Sequence, residues 1–224
     1  MDSRLCAALE LARKAYGALE PAEPPGRWTT LACVVLGQID ATAQTSRRRQ
    51  WFTGSILASP SDVAEGKDEL IAVSLTRGHR SPRKAGVLRQ LAQWWLTQFG
   101  DESEVGPWKG PTEQFREELV RLPGVSLELA DRLLLFVGDH AVYPIDRPTV
   151  RLCCRHGWMA VEDEYEVWQS FLVGGFEGET RWLRQFCLLA ARIGRAHCGR
   201  VASCDGCPLQ SLLPLTGPCE PETA

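Results

Sequence analysis

The stretch Leu122-Pro123-Gly124-Val125 lies between two segments whose apolar residues recur at helical spacing. Pro123 fixes its own φ angle, and Gly124 permits backbone conformations and close approaches that a Cβ would exclude. Ser126 follows at once, and its hydroxyl can cap the N-terminus of the second segment. The sequence therefore predicts two helices joined by a tight turn, a helical hairpin.

Backbone N–H groups at this turn could point at a single phosphate, because the first N–H groups of a helix have no acceptor within the helix. A turn of this kind would hold DNA without reading its base sequence. The same stretch also occurs in ordinary connections between helices. On these residues alone, both interpretations stay open.

The rest of the chain has the same helical periodicity, and alternating β-branched runs bounded by turns are scarce. We therefore predict an all-α fold. The predicted helices lie at about 3–18, 29–39, 47–57, 61–65, 67–75, 83–99, 112–121, 127–137, 147–155, 162–174 and 178–195.

The composition is that of a globular chain: 44% of its 224 residues are hydrophobic and 24% are charged. No apolar run approaches the roughly 20 residues that span a bilayer, and the first residues lack the pattern of a secretory signal. We therefore expect a cytoplasmic protein without a membrane partner. The formal net charge is −3, but basic residues concentrate at 47–49 and 77–89, either as solvated helix faces or as DNA contacts.

A second informative segment runs from Val142 to Arg151, where an extended piece ends and a helix begins at Asp146. Asp146 suits the N-cap position, and Pro148 suits the first turn of the helix. A carboxylate at a helix N-terminus can also oppose positive charge that develops in a reaction. The two roles are compatible, because a capping aspartate is rigidly held.

These features together resemble the helix-hairpin-helix DNA glycosylases of the endonuclease III type, the HhH-GPD superfamily. The resemblance rests on the hairpin stretch, on Ala130 six residues after Gly124, on Asp146 twenty-two residues after Gly124, and on Val150-Arg151. Further similar segments lie upstream, at 36–42 and 83–88.

The resemblance covers roughly residues 28–207 and implies a base-excision repair glycosylase. Such an enzyme binds double-stranded DNA, extrudes a nucleotide with a damaged base and cleaves its N-glycosidic bond. Asp146 would be the catalytic carboxylate, which stabilises the oxocarbenium-like sugar or activates the attacking water. The residues that the resemblance places against DNA are Gln38, His79, Arg80, Lys84, Leu122, Gly124, Val125 and Arg147.

Glu128 departs from part of this family. Members that also cut the abasic strand carry a lysine four residues after the hairpin glycine, and its amine forms a Schiff base with the sugar. A glutamate cannot form that imine, so we predict a monofunctional glycosylase, with a bifunctional glycosylase/AP lyase as the alternative. The run Glu128-Leu129-Ala130-Asp131 resembles the alkylation-repair branch, and Glu128 is either a catalytic-site residue or a favourable charge at its helix N-terminus.

Cysteines concentrate near the end of the chain, where five of the nine follow residue 186. In a chain without a secretory signal, soft sulfur ligands spaced this way suit iron-sulfur or zinc better than disulfides. By resemblance to the iron-sulfur loop of the family we predict a 4Fe-4S cluster, with zinc or a vestigial metal-free loop as the alternatives. The predicted ligands are Cys198, Cys204, Cys207 and Cys219.

This cysteine pattern differs from that of the family in two ways. The first gap has five residues where the family has six, and the fourth cysteine, expected near Leu213, is absent. Cys219 is the preferred substitute, and Cys187 is disfavoured because it lies inside a predicted helix. The remaining cysteines, expected to be small buried side chains on apolar helices, are Cys6, Cys33, Cys153 and Cys154.

The resemblance also implies a two-lobed molecule, which we expect to be a monomer. Residues 29–144 would form a helical barrel that ends in the hairpin, while 1–28 with 145–219 would form the metal-bearing lobe. Two other classes of protein stay open: a non-catalytic DNA-binding module that kept the hairpin, and a metal-stabilised helical scaffold for protein partners. Asp146, at the spacing found in the family, favours the enzyme over both.

Overall fold

The computed structural model describes residues 2–19, 26–37, 55–66, 71, 82–102 and 105–219. Within these ranges the regular structure is helical, apart from one isolated antiparallel bridge between Cys198 and Ala202. The helices are α1 Ser3–Tyr16, α2 Arg27–Val35, α3 Pro60–Glu65, α4 Pro82–Phe99, α5 Thr112–Val120, α6 Leu127–Leu133, α7 Arg147–Arg155, α8 Tyr165–Gly175 and α9 Thr180–Ala196. A π-helical turn, Leu134–Gly138, continues α6, and short 3₁₀ helices occupy Ile56–Ala58 and Gln210–Leu212. The predicted all-α fold is confirmed, and in the part of the chain described here no helix is long and apolar enough to cross a membrane.

The predicted helix at 162–174 begins three residues later than expected, at Tyr165. The delay has a local cause, since the Asp163 carboxylate accepts a hydrogen bond from the Ala160 N–H at 2.7 Å and closes a turn. Of the other predictions, all of 67–75 except residue 71 and most of 47–57 lie outside the described residues.

The chain forms two compact units. One, the terminal unit, comprises Met1–Glu20 and Ala141–Ala224; the other, the central unit, comprises Pro21–His140.

Aromatic side chains fill the core of the central unit. Trp28 of α2 meets Trp95 of α4 edge to face, with ring centroids 5.7 Å apart, and neither side chain is exposed. Each indole N–H has a carbonyl acceptor, Leu57 O for Trp28 and Glu102 O for Trp95, both at 2.9 Å. These tryptophans therefore stabilise the core of this unit by burial, with their polar atoms satisfied.

Close helix contacts build the terminal unit, in which α9 packs against α7 and α1, and α8 packs against α1. Glycines make two of these contacts possible. A Cβ at Gly194 of α9 would lie 2.8 Å from Pro148 of α7, and a Cβ at Gly175 of α8 would overlap Leu5 of α1. Cys6, predicted to be buried, is only partly buried. It follows Leu5 by one position and is therefore about 100° around α1 from the apolar stripe.

Candidate functional site

The hairpin turn, residues 122–126, connects α5 to α6 in the central unit. The Val125 N–H donates to Leu122 O at 3.1 Å, and the Ser126 hydroxyl accepts a hydrogen bond from the Leu129 N–H at 3.2 Å. Ser126 is therefore the N-cap of α6. Val125 is buried while its neighbours Gly124 and Ser126 are exposed, so the turn is anchored from one side and open on the other.

Gly124 has a conformation that other residues adopt only with strain, with a φ of +86°. A Cβ at this position would also lie 2.8 Å from a methyl carbon of Val87 on α4. Both the backbone conformation and the close approach of α4 therefore require glycine here.

Backbone N–H groups at this glycine and just after it are open to a ligand. Within the described residues, the structure gives no hydrogen-bond acceptor for the N–H groups of Gly124, Ser126 and Leu127. Such groups at the start of a helix favour an anion, because they carry partial positive charge and still need acceptors. The turn can therefore bind a phosphate oxygen.

A buried ion pair joins the two helices that flank the turn. Arg116 of α5 donates through Nε to Asp131 Oδ1 of α6 at 2.7 Å, and Asp131 is fully buried. Arg116 also contacts Glu113, one turn earlier on α5. Burial raises the pKa of Asp131 to about 6, although Arg116 opposes that rise. The sequence patterns did not single out this pair.

Glu128 lies in the first turn of α6 and pairs with Arg132 one turn later, with 3.0 Å between Oε1 and Nη2. The Glu128 side chain is 46% exposed, so the pair is partly in solvent. The position that carries the lyase lysine in part of the family thus holds a carboxylate beside an arginine.

Asp146 is the N-cap of α7 in the terminal unit, in extended backbone conformation, and only 5% exposed. Its Oδ1 accepts a hydrogen bond from the Thr149 backbone N–H at 2.9 Å. The Thr149 side chain is buried, and its hydroxyl lies 3.0 Å from the Tyr143 hydroxyl. A backbone N–H of a residue that is itself fixed by packing therefore orients Asp146.

Gln169 of α8 holds the segment that leads into Asp146. Its amide accepts from the Tyr143 N–H at 3.0 Å and donates to Tyr143 O at 2.6 Å. An amide side chain thus pairs with the extended backbone as a neighbouring strand would. Sequence reasoning missed both Tyr143 and Gln169, because they are 26 residues apart.

The other residues predicted to contact DNA have different positions. Lys84, at the start of α4, and Arg147, at the start of α7, are both exposed. Leu122 is partly buried in the hairpin turn. The remaining three lie outside the described residues: Gln38, His79 and Arg80.

Three of the four predicted cysteine ligands line one small cavity. They are Cys198, Cys204 and Cys207, and two histidines, His156 and His197, line it with them. Burial, and then the neighbouring Cys204 and Cys198 sulfurs, raise the pKa of the Cys207 thiol, while a backbone hydrogen bond at Leu209 opposes the rise. Sulfur donors therefore share one cavity wall.

Cys219, the fourth predicted ligand, also belongs to the terminal unit. It is not among the residues that line the cavity. Its N–H donates to Arg155 O at 2.9 Å, and its Sγ would contact a Cβ at Gly157 at 3.8 Å. Among the described residues, the side-chain positions give no group of three or more His, Cys, Asp or Glu that could hold a metal ion. The donor chemistry of the three cavity cysteines suits iron-sulfur or zinc, and the fourth predicted ligand is not with them.

Arg155, at the end of α7, holds the cysteine loop, residues 197–207. Its guanidinium donates to Cys198 Sγ at 3.2 Å, to Gly199 O at 2.9 Å and to Arg200 O at 3.1 Å. Arg155 is only 2% exposed. A buried cation therefore organises this loop through backbone carbonyls and one cysteine sulfur.

No family model matches the chain. One curated relative, "Putative DNA repair glycosylase MJ1434" of Methanocaldococcus jannaschii, is 24% identical over 129 residues, which are 58% of this chain and 59% of that protein. The chain thus matches less than two thirds of the length of this relative.

Solved structures match over nearly the whole chain. A non-covalent endonuclease III–DNA complex has a TM-score of 0.66 at 18% identity, with 95% of this chain and 96% of that one covered. A thermostable thymine-DNA glycosylase has a TM-score of 0.64 at 16% identity, covering 93% and 92%. The Helicobacter pylori 3-methyladenine DNA glycosylase bound to 1,N6-ethenoadenine has a TM-score of 0.60 at 17% identity, covering 87% and 98%. The chain therefore has the helix-hairpin-helix fold of the endonuclease III-type DNA glycosylases, as its sequence motifs predict.

Proposed function

We propose that this protein is a base-excision DNA glycosylase and that Asp146 is its catalytic carboxylate. The observation that carries the proposal is that Asp146 is a buried N-cap whose carboxylate accepts the Thr149 backbone N–H. Thr149 is held in turn by the contact between its hydroxyl and that of Tyr143. A carboxylate held this way can oppose the positive charge of an oxocarbenium-like sugar without first reorganising. It can also accept the proton of the water that attacks the anomeric carbon.

The hairpin turn would bind the DNA backbone. Its exposed N–H groups at Gly124, Ser126 and Leu127 suit a phosphate oxygen, and such contacts carry no base specificity. Lys84 and Arg147, both exposed at helix starts, would add charge to this sequence-independent binding. The chemistry of base release and the binding of the duplex thus use different residues of the chain.

Asp146→Asn tests the catalytic assignment. The variant keeps the shape and capping capacity of the side chain but removes its charge, so we expect DNA affinity within about twofold of the wild type and no base release. A matched control is Asp2→Asn, since Asp2 is also an N-cap aspartate in the terminal unit, where it accepts the Arg4 N–H. Release should be measured on duplexes with alkylated, oxidised, deaminated and mismatched bases. Equal release by Asp146→Asn and the wild type would remove Asp146 from the mechanism.

Glu128 supports the proposal that the enzyme is monofunctional. A carboxylate paired with Arg132 offers no amine for a Schiff base with the abasic sugar. Borohydride added during the reaction should therefore trap no covalent protein–DNA adduct. An adduct would show that another amine acts and would favour the bifunctional glycosylase/AP lyase.

We also propose that Cys198, Cys204 and Cys207 ligate a 4Fe-4S cluster, with Cys219 as the fourth ligand. The support is that three sulfurs line one cavity, although Cys219 does not line it. The cluster would be structural: it would order the cysteine loop and present the exposed Arg195 and Arg200 to DNA. Anaerobically purified protein should be brown, with nearly stoichiometric iron and sulfide; stoichiometric zinc without iron would support the alternative. Cys219→Ser that retains full iron would exclude Cys219 as the fourth ligand.

A further inference from the structure

The Arg116–Asp131 ion pair spans the hairpin turn from one flanking helix to the other. Arg116 lies near the middle of α5, and Asp131 lies near the middle of α6. The contact is short, 2.7 Å, and the side chains are 15% and 0% exposed respectively. It is a charge-assisted hydrogen bond shielded from solvent, so it constrains the direction of both side chains strongly.

The Arg116 guanidinium has a second carboxylate partner, Glu113, through Nη1. Two carboxylates therefore hold one planar cation from different sides, Glu113 from its own helix and Asp131 from the next. A planar guanidinium held at two points has little rotational freedom. The orientation of α6 relative to α5 is thus tied to a fixed group.

A gain in folding stability does not explain why these two buried positions hold an ion pair. Burial raises the pKa of Asp131 to about 6, so the folded chain holds a proton there more tightly than the unfolded chain does. Apolar residues of similar volume replace buried ion pairs without loss of stability in many proteins. The ionised pair therefore needs another explanation, and its place between the two hairpin helices provides one.

We propose that the Arg116–Asp131 pair is a positioning device that sets the angle between α5 and α6 and thereby aims the N–H groups of the hairpin turn at a DNA phosphate. This inference rests on the proposed DNA-binding function. The pair itself touches no DNA; it acts through the backbone of residues 122–126.

The double variant Arg116→Met/Asp131→Leu separates positioning from stability. Arg116→Met alone leaves the fully buried Asp131 carboxylate without its arginine, so its Tm should fall by about 10 °C. The double variant replaces the pair with apolar side chains and should recover most of that loss. Its affinity for a duplex with an uncleavable abasic-site analogue should nevertheless stay about 10-fold below the wild type, as expected when one charge-assisted contact is lost.

Glu117→Gln is the matched control. Glu117 also lies on α5 and also pairs with an arginine, Arg121, but that pair is exposed on both sides. Removing its charge should change neither Tm nor DNA affinity measurably. A double variant that recovers both Tm and wild-type affinity would reduce the Arg116–Asp131 pair to a structural contact and overturn the inference.

A measurement without DNA distinguishes the inference from the function it rests on. The amide ¹H–¹⁵N signals of Gly124 and Ser126 should shift in wild-type protein with a midpoint near pH 6, as Asp131 titrates beside Arg116 and Glu113. His140 also interacts electrostatically with Arg116: burial lowers the pKa of His140, and Arg116 lowers it to a smaller extent. The ring signals of His140 report its own titration. The double variant should lack the turn shift. If the shift is present but the wild type binds no duplex, the proposed function fails. If the turn signals of the wild type and the double variant coincide at every pH, the positioning role fails whatever the DNA affinity.

Discussion

The hairpin turn and the cysteine loop are both tight irregular segments that follow a helix, yet they are held in different ways. Residues a few positions apart close the hairpin turn: Val125 bonds to Leu122, and Ser126 caps α6. The cysteine loop also has short-range bonds, but Arg155, more than 40 residues earlier in the chain, holds its carbonyls. A turn closed by its neighbours is encoded locally, whereas a loop held by a distant cation depends on the packing that brings that cation there.

Replacing Arg155, which holds the cysteine loop, should lower the free energy of unfolding more than the changes in the hairpin that follow below. Arg155→Met removes the donors to Cys198, Gly199 and Arg200 and leaves two carbonyls without these partners. We expect the free energy of unfolding to fall by about 4 kcal/mol, the loss of two or more hydrogen bonds to a charged group. Denaturant unfolding measures it.

Arg200→Met is the control for this prediction. The Arg200 side chain is exposed, and only its carbonyl takes part in the contact, so the change should stay within about 0.5 kcal/mol. Equal losses in the two variants would mean that Arg155 does not organise the loop.

The pH dependence of stability should distinguish the two regions next. In the hairpin, the pKa of Asp131 rises from 3.8 in the unfolded chain to about 6 in the folded one. Between these two pKa values the folded chain therefore binds more protons at Asp131 than the unfolded chain does. The contribution of Asp131 to the free energy of unfolding falls by up to about 3 kcal/mol as the pH rises from about 4 to about 6, and it is constant at higher pH.

Asp131→Asn should lack this part of the pH profile, as urea unfolding at several pH values can show. The contacts from Arg155 to the carbonyls of Gly199 and Arg200 should instead contribute equally from pH 5 to pH 8, because neither an arginine nor a backbone carbonyl titrates there. A wild-type pH profile in Asp131→Asn would contradict the assignment of the pH-dependent part to the hairpin.

The smallest of the three effects concerns the local turn itself. Gly124→Ala forces a side chain to adopt a φ of +86° and brings its Cβ to 2.8 Å from Val87, so we expect a loss of about 2 kcal/mol. Gly86→Ala, inside α4 with no atom within 4 Å of its Cβ, should instead stabilise by up to about 1 kcal/mol.

Adding Val87→Ala sharpens this prediction. It removes the methyl group that clashes with a Cβ at position 124, and the strain from the positive φ persists. The double variant should therefore show less than additive destabilisation. Strict additivity would mean that α4 does not constrain the turn.

The elements that sequence alone predicts are those with a local cause. Helical periodicity, Ser126 as a cap and Gly124 as a turn residue all depend on neighbours within about four positions, and the structure has each of them. Asp146 was expected as an N-cap on the same grounds and is one.

The partners of these residues could not be predicted the same way. Arg116 and Asp131 are 15 residues apart, and Tyr143 and Gln169 are 26 apart. One signal was available: Asp131 follows Ala130 on the apolar side of α6, where an aspartate needs a buried partner. Nothing in the sequence indicated which cation would provide it.

By itself, then, the sequence determined the helices, the hairpin turn and the cap at Asp146, because each follows from backbone geometry and short-range hydrogen bonds. Only the tertiary structure decided that Arg116 meets Asp131, that Arg155 holds the cysteine loop, and that three of the four predicted cysteine ligands line one cavity. Such contacts form when packing removes charged and polar groups from water, and each group must then find its partner among residues that are distant in the chain.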